Sequence, residues 1–202
     1  ATTFTFDSVF FEEECLGRFL DLESDPKDDD AVYLVEREKK LSGVFAAVLA
    51  DQHHCKGSHN MRWNVLSARV KNGVLHAKVS LLHWVGWTRV IIASANLTPA
   101  GYRKNREIFS VLDFFDGSPA PAECLKETIN FLRETLTQTA GIDGNPAGTR
   151  SLALLDGISA DSRKWGSDAD RADVRAHAVF SGPGKRSVLE QIRGLWPYQQ
   201  PP

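Results

Sequence analysis

Two stretches in the middle of the chain, 74–82 and 89–98, are predicted to be β-strands, because apolar and polar residues alternate over 75–81 and over 93–98. Successive side chains of a strand point to opposite faces of the sheet. In the first stretch the apolar face carries Leu75, Ala77, Val79 and Leu81, and the polar face carries His76, Lys78 and Ser80. In the second stretch, Ser94 and Asn96 fall together at the end of the strand. If the two strands are neighbours in one sheet, these polar side chains meet in one pocket.

The other patterns predict alternating helices and strands. Apolar periodicity predicts helices over 10–22, 41–51 and 123–137, and alternation or short apolar runs predict strands over 31–35, 63–70 and 106–115. Lys71, Asn72 and Gly73 are typical of a hairpin turn, which would pair the strand 63–70 with the strand that carries His76. A turn is expected over 97–102. We therefore predict an α/β fold in which a mixed β-sheet is flanked by helices.

The C-terminal third has a different character. Residues 140–151 are rich in Gly, Pro and Asn, which favours a linker, and 177–195 have the pattern of a strand, a tight turn and a helix. The predicted organisation is a first unit over 1–140, a linker or irregular segment over 141–176, and the beginning of a second unit over 177–202.

The polar residues of the two central strands suit the chemistry of a phosphoryl group. A phosphodiester resists attack because its oxygens carry negative charge. A catalyst therefore needs a nucleophile that works near neutral pH, with positive charge and hydrogen-bond donors around the transferring group. His76 can be the nucleophile, Lys78 can supply a point charge, and the amide of Asn96 can donate two hydrogen bonds.

The motifs His76-x-Lys78 and Ser94-x-Asn96 together resemble one half-site of the phospholipase D superfamily of phosphodiesterases, the enzymes of the HKD motif. Glu107, eleven residues beyond Asn96, lies where that superfamily often has a site glutamate. A His-x-Lys pattern on its own is usually an ordinary exposed strand face. The combination with Ser-x-Asn and Glu107 is what makes the resemblance specific.

One position departs from the usual motif of the superfamily. The aspartate that normally follows the lysine by five residues is replaced by His83, which we expect to be structural. The form without this aspartate is similar to the tyrosyl-DNA phosphodiesterase branch. The match in residue types is strong over 74–107. In the flanking segments only the arrangement of the predicted elements is similar.

The resemblance implies a phospholipase D-like α/β/α sandwich and a metal-independent hydrolase without cofactors, which passes through a covalent phosphohistidine on His76. Lys78 and Asn96 would hold the non-bridging oxygens, and Ser94 or Glu107 would support the pocket. A second histidine protonates the leaving oxygen. Residues 177–202 contain no second His-x-Lys. The resemblance therefore implies an N-terminal half that is completed by a homodimer mate or by further C-terminal sequence.

The substrate stays open at this point. Nucleic acid is favoured, as for an enzyme of DNA end processing and repair or a nuclease, because of the motif form and the local charge. The alternatives are a phospholipase or phosphatidyltransferase, and a non-catalytic half that binds phosphate or nucleic acid.

Positive charge is concentrated around the motifs. Between Gln52 and Arg106 the chain has nine of its 24 Lys and Arg residues and none of its 26 Asp and Glu residues, although the net charge is only −2. A segment of one sign favours an anionic substrate, and chance segregation of surface charge is the alternative. Arg62, Arg103 and Lys104 are the candidate substrate-binding residues.

The composition is that of a soluble globular chain with room for one domain: 202 residues, 42% hydrophobic and 25% charged. No apolar run reaches the ~18 residues of a membrane-spanning helix. Nothing looks like a signal peptide, but the chain opens with Ala1, so this says little about targeting of the native protein. Cys15, Cys55 and Cys124 lie in no ligand motif and favour free thiols in an intracellular, reducing compartment.

Four potential metal ligands lie close together in the sequence, namely His53, His54, Cys55 and His59. Adjacent histidines do not easily reach one ion, and a second ligand pair is missing. We therefore expect a polar loop near the pocket rather than a zinc site.

Overall fold

The computed structural model describes residues 1–25, 27–56, 61–70, 73–139, 142–166 and 176–195. The strands are β1 (Thr2–Thr3), β2 (Phe6–Asp7), β3 (Ala47–Asp51), β4 (Cys55–Lys56), β5 (Asn64–Ala68), β6 (Val79–Trp84), β7 (Trp87–Ala93) and β8 (Phe109–Phe115). The helices are α1 (Ser8–Phe10), α2 (Gly17–Phe19), α3 (Asp30–Leu41), α4 (Ala122–Thr137), α5 (Pro146–Ser162) and α6 (Val188–Leu195). Two π-helical turns are π1 (Phe11–Leu16), which joins α1 to α2, and π2 (Ala100–Lys104).

Six strands form one mixed sheet in the order β5-β3-β1-β6-β7-β8, and β2 and β4 form a separate pair. β1 and β5 both run parallel to β3, whereas β6, β7 and β8 form an antiparallel meander that joins the sheet through β1. As a result β1, β3, β5 and β7 end at the same edge of the sheet at which β6 and β8 begin. We call this the carboxyl edge.

Helices cover both faces of the sheet. On one face α4 and α5 pack against strand residues such as Leu49 and Val79. On the other face π1 and the end of α3 pack around Trp63, Val48 and Ala50. Alternation along β3 explains the division, because neighbouring side chains of a strand point to opposite sides. The predicted α/β fold, a mixed sheet flanked by helices, is confirmed.

The two central stretches are neighbours in the sheet, so the condition for their polar side chains to meet is fulfilled. β6 and β7 form a hairpin in which Val79 lies opposite Ile92, and the turn uses Gly86 with a φ of +74°, which glycine adopts readily. Strand pairing begins only at Val79. His76 and Lys78 therefore lie in the extended segment just before β6 rather than inside a strand.

Other elements also follow the sequence pattern. The strands predicted over 63–70 and 106–115 are β5 and β8, and the helices predicted over 10–22 and 123–137 are the α1–π1–α2 segment and α4. In α4 the apolar residues repeat every three or four positions, which places one stripe of them in the core. That stripe comprises Leu125, Ile129, Leu132 and Leu136.

The predicted strand over 31–35 is wrong, because these residues form the first turns of α3. The carboxylate of Asp29 accepts hydrogen bonds from the N–H groups of Ala31 and Val32 at 3.0 and 3.1 Å, which fixes the start of a helix. The apolar run is not a buried strand. Only Tyr33 and Leu41 are buried in α3, about two helical turns apart, while Val32 is exposed.

The predicted helix over 41–51 is also wrong, since Ala47–Asp51 is β3. This strand lies between β1 and β5 and is covered on both faces. Its first four residues are all apolar, as is typical of a strand buried on both faces, and so short an apolar run cannot be distinguished from a buried helix by periodicity.

The predicted hairpin between β5 and the strand that carries His76 is wrong as well. β3 and β1 lie between β5 and β6. Gly73 is described, whereas Lys71 and Asn72 lie outside the described residues. Because β5 ends and β6 begins at the carboxyl edge, the extended segment 73–78 has to cross the ends of β3 and β1. This crossing carries His76 across that edge.

The predicted linker over 140–151 contains the start of a helix. Asn145 caps α5 by accepting a hydrogen bond from the N–H of Ala147 at 2.9 Å, and Pro146 occupies the first turn, where its missing N–H is not needed. The residues that suggested a linker are thus helix-start signals. α5 also shows that 146–162 of the segment predicted as linker or irregular is regular structure.

The C-terminal segment packs on the same core as the preceding helices. Residues 176–182 form no strand, which corrects the predicted strand, and α6 follows the turn. Phe180 stacks on Phe131 of α4 with ring centroids 4.4 Å apart. The division of the chain into domains stays a prediction. Among the described helices, none has the length and apolar character needed to cross a membrane.

Candidate active site

Five side chains predicted to be catalytic lie at the carboxyl edge. His76 and Lys78 immediately precede β6, Ser94 and Asn96 follow β7, and Glu107 precedes β8. β6, β7 and β8 are neighbours in the sheet, so the three segments lie side by side. The structure brings the five residues together, and their catalytic roles stay a prediction.

The ammonium group of Lys78 folds back onto His76. Nζ donates a hydrogen bond to the carbonyl oxygen of His76 at 2.8 Å, and it lies 3.0 Å from Nδ1 and 3.2 Å from Nε2 of the imidazole. The Lys78 residue is only 9% exposed, whereas His76 is exposed to solvent. An anion that approaches His76 therefore meets the ammonium group beside the ring.

The surroundings lower the pKa of both His76 and Lys78. Partial desolvation lowers the pKa of His76, and the charge of Lys78 lowers it further. Burial lowers the pKa of Lys78, while the Glu107 carboxylate acts in the opposite direction. A neutral imidazole carries the lone pair that a nucleophile needs. The environment thus favours the nucleophilic form of His76.

Glu107 is held as an anion at the outer side of the site. It accepts hydrogen bonds from the hydroxyl of Ser94 and from Nδ2 of Asn105, the latter at 3.2 Å. These hydrogen bonds, together with the nearby charge of Lys78, keep the pKa of Glu107 below its usual range. Ser94 in turn accepts a hydrogen bond from the N–H of Ile108 at 3.0 Å. Ser94 therefore holds Glu107 in place, where its charge interacts with that of Lys78.

The side-chain amide of Asn96 connects the site to the segment after β1. Its Oδ1 accepts hydrogen bonds from the N–H groups of Phe4 and Thr5, at 3.2 and 3.1 Å, and from the hydroxyl of Thr3 at 3.3 Å. Nδ2 has no hydrogen-bond partner within the described residues. The oxygen of Asn96 is thus structural, and the two N–H bonds are the part of the amide that can bind a ligand.

Gly101 fixes the backbone of Asn96 by close packing. A Cβ atom at this position of π2 would overlap the carbonyl oxygen of Asn96 and lie 3.0 Å from its nitrogen. Thr98 caps the turn, since its hydroxyl accepts a hydrogen bond from the N–H of Gly101 at 3.2 Å. The turn expected over 97–102 is therefore present, and it positions the amide of Asn96.

Two aromatic contacts at the site were not expected from the sequence. The ring of Phe4 lies 4.9 Å from the ring of His76 and 4.1 Å from the ring of His54, and Nζ of Lys78 lies 5.9 Å from the Phe4 centroid. Nothing in the sequence marks Phe4. His54 carries a signal, because 54–56 repeats the His-x-Lys spacing of 76–78.

The loop expected near the pocket does reach it, through His54. The neighbouring His53 has different contacts: its ring lies 2.7 Å from Nε2 of Gln52, and its N–H donates to Asp51. His59 lies outside the described residues. Within the described ranges no group of three or more His, Cys, Asp or Glu side chains is arranged to hold a metal ion.

The three predicted substrate-binding residues are not equivalent. Arg62 precedes β5, at the opposite edge of the sheet, where it pairs with Glu38 at 2.5 Å and lines a groove of about 400 Å³. Its assignment to this site is a misplacement, because basic residues that are close in sequence lie at opposite ends of the sheet. Arg103 pairs with Glu14. Lys104, which is exposed on the same turn, has no ion pair within the described residues.

A narrow cleft of about 90 Å³ leads away from His76 between the crossing segment, α4 and the turn before α6. Arg69 at its wall is exposed and has no ion pair within the described part of the chain. Lys185 on the opposite side pairs with Glu134 at 2.5 Å. Glu134 also lines the cleft, and so do four neutral polar residues: Thr135, Gln138, Thr139 and Ser181. The cleft offers positive charge and hydrogen-bonding groups beside the candidate nucleophile.

Comparisons with known proteins return no relative: the chain matches no protein-family model, no curated protein and no solved structure.

Proposed function

We propose that this chain is a metal-independent phosphodiesterase of the phospholipase D type that acts on nucleic acid. The observation that carries the proposal is the position of His76. Its ring is exposed, its environment favours the neutral form, and a buried ammonium group lies within 3.2 Å of both ring nitrogens. Such a pair suits attack on an anionic phosphorus centre.

In the proposed reaction His76 attacks phosphorus and forms a phosphohistidine. Negative charge develops on the non-bridging oxygens, where the ammonium of Lys78 and the N–H groups of Asn96 stabilise it. Glu107 faces Lys78 and keeps that lysine charged, since a neighbouring carboxylate raises the pKa of an ammonium group. The bond to the leaving oxygen then breaks, and this oxygen needs a proton.

Nucleic acid is the preferred substrate because of the charges around His76. The site lies in a segment with no acidic residue between Gln52 and Arg106, and the cleft beside it exposes Arg69. A phosphodiester strand would place further phosphates along such a cleft. Binding should therefore weaken as salt is added, because counterions are released when phosphates bind to basic side chains.

The proposal is tested by hydrolysis of an aryl phosphodiester in the presence of EDTA. We expect turnover by the wild-type chain, and no turnover or burst of product by His76→Ala. His83→Gln is the matched control. His83 lies in the β6–β7 hairpin, 2.9 Å from the hydroxyl of Thr88, and should not affect the site. Full activity of the His76→Ala variant would refute the mechanism.

The choice of substrate is tested by comparing a single-stranded oligonucleotide with vesicles of anionic phospholipid. Nucleic acid should bind with an affinity that falls with salt, and Arg69→Gln should reduce the slope of log affinity against log salt by about 1. Binding without cleavage of either a diester or an oligonucleotide would favour a non-catalytic binding half. Cleavage of lipid alone would favour a phospholipase.

A further inference from the structure

His54 is the second histidine that touches the aromatic ring at the centre of the site. The Phe4 centroid lies 4.1 Å from the ring centroid of His54 and 4.9 Å from that of His76. Both imidazoles therefore contact the same aromatic ring. Both histidines are exposed. Both are therefore solvent-accessible imidazoles in contact with Phe4.

The structure holds both histidine segments through one buried carboxylate. Asp51 is 2% exposed and lies at the end of β3. Its Oδ1 accepts a hydrogen bond from the N–H of His53, and its Oδ2 accepts one from the N–H of Leu75, each at 3.1 Å. Each of these residues directly precedes one of the two histidines in the sequence. Asp51 thus fixes the distance between the two segments.

The backbone of His54 is fixed from both sides as well. Its N–H donates to the carbonyl oxygen of Asp51, and its own carbonyl oxygen accepts a hydrogen bond from the N–H of Phe6, each at 3.0 Å. β4 then pairs with β2 from Cys55 onwards. The imidazole is therefore presented from a rigid part of the chain rather than from a free loop.

We propose that His54 is the group that transfers protons to and from the leaving oxygen and the attacking water in this chain's own site. This inference rests on the proposed phosphodiesterase function. It makes a second half-site from another copy or from further sequence unnecessary. Imidazole suits this role because it gains and loses a proton near neutral pH.

The two steps balance as follows. In the first step a lone pair of His76 forms a P–N bond, the bond from phosphorus to the leaving oxygen breaks, and the His54 imidazolium gives its proton to that oxygen. In the second step water attacks phosphorus and gives a proton to neutral His54, while the P–N bond breaks and its electron pair returns to His76. The products are an alcohol and a phosphomonoester.

The experiment uses the complete chain with bis(p-nitrophenyl) phosphate in EDTA, and it separates the first step from the second. p-Nitrophenolate is a stable anion that leaves without a proton, so formation of the phosphohistidine should not need His54. We expect His54→Gln to release about one nitrophenolate per chain in a burst and then to turn over about 100-fold more slowly than wild type. His76→Ala should give neither burst nor turnover.

Two controls make the result specific. His53→Gln, next in sequence but placed against Gln52, should keep turnover within about two-fold of wild type. The rate per chain should not change over a wide range of protein concentration, with light scattering showing a monomer, because no second copy is needed.

Each other outcome has a defined meaning. Wild-type turnover in the His54→Gln variant would overturn the role of His54 while leaving the proposed function intact. Activity that appears only in a dimer, or a wild-type burst without turnover, would overturn the inference in favour of a separate second half-site. Absence of both burst and turnover in wild type would instead count against the proposed function itself.

Discussion

Asp51 accepts a hydrogen bond from the backbone N–H of Leu75, 24 residues further along the chain, at 3.1 Å. A second oxygen of the same carboxylate holds the turn after β3. The contact joins the end of a central strand to the segment that crosses the carboxyl edge. It explains how His76 can be positioned without belonging to a strand of the sheet.

Two substitutions of Asp51 should therefore separate its effect on stability from its effect on activity. Asp51→Ala leaves the buried N–H of Leu75 and the partly buried N–H of His53 without acceptors and should lower the free energy of unfolding by roughly 1–3 kcal/mol, measured by urea denaturation. Asp51→Asn keeps one acceptor oxygen and should cost less stability, but it should still lower phosphodiesterase activity because one of the two segments is released. Unchanged stability in Asp51→Ala would contradict this account.

Substitutions of Asn96 should likewise separate the structural role of its side-chain oxygen from ligand binding by its N–H groups. In Asn96→Asp the carboxylate can still accept hydrogen bonds from Phe4 and Thr5, but the two N–H donors are lost and a negative charge faces the substrate. We expect near-normal thermal stability with turnover at least about 100-fold lower. Asn96→Ala should lose stability as well, by roughly 1–3 kcal/mol. Equal activity of wild type and Asn96→Asp would argue against substrate binding by Nδ2.

Gly101→Ala should damage the site through the backbone of Asn96. The added Cβ overlaps the Asn96 carbonyl oxygen, so π2 has to shift, which should cost about 1–3 kcal/mol and reduce activity. Gly157→Ala in α5 is the matched control, since its Cβ would meet no atom within 4 Å. That substitution should leave activity unchanged and keep or raise the melting temperature, because alanine favours a helix over glycine by up to about 1 kcal/mol.

In the proposed mechanism, the pH dependence of kcat/KM reports the protonation of free His76. His76 attacks only when neutral, and its pKa is lowered first by desolvation and then by Lys78. The acid limb of the profile should therefore lie below the usual imidazole value of about 6.5. Lys78→Met should lower the rate by roughly 100- to 1,000-fold and move the acid limb to higher pH, since the repelling charge is gone. A limb that stays in place in the variant would contradict the coupling.

Local patterns predicted the antiparallel half of the sheet well. Polar and apolar residues alternate over 75–81 and 93–98, around β6 and β7, so these strands can be recognised. β3 is covered on both faces, so its sequence does not show this alternation. The prediction for α3 failed for the opposite reason: only two of its twelve residues are buried, so its apolar residues Val32 and Val35 do not mark a buried face.

The residues of the candidate site were recognisable because their types and spacing form a motif. The residues that hold them in place could not be recognised. Asp51 and Phe4 act through contacts with residues that are distant in sequence, and no local pattern records such contacts. Arg62 shows the converse, because it lies within the basic segment but at the other edge of the sheet. Membership of the basic segment therefore did not predict where Arg62 lies in the fold.

The central position of β1 has a consequence for the order in which the sheet and the candidate site form. The β6–β7–β8 meander can form from contacts between near neighbours, but β1 reaches Val79 through a hydrogen bond that spans 77 residues, and Thr5 reaches Asn96 across 91. Closing such long loops is entropically costly and slows folding. A refolding chain should thus recover its strand content before it recovers catalysis, with the arrival of the first strand as the last step of maturation.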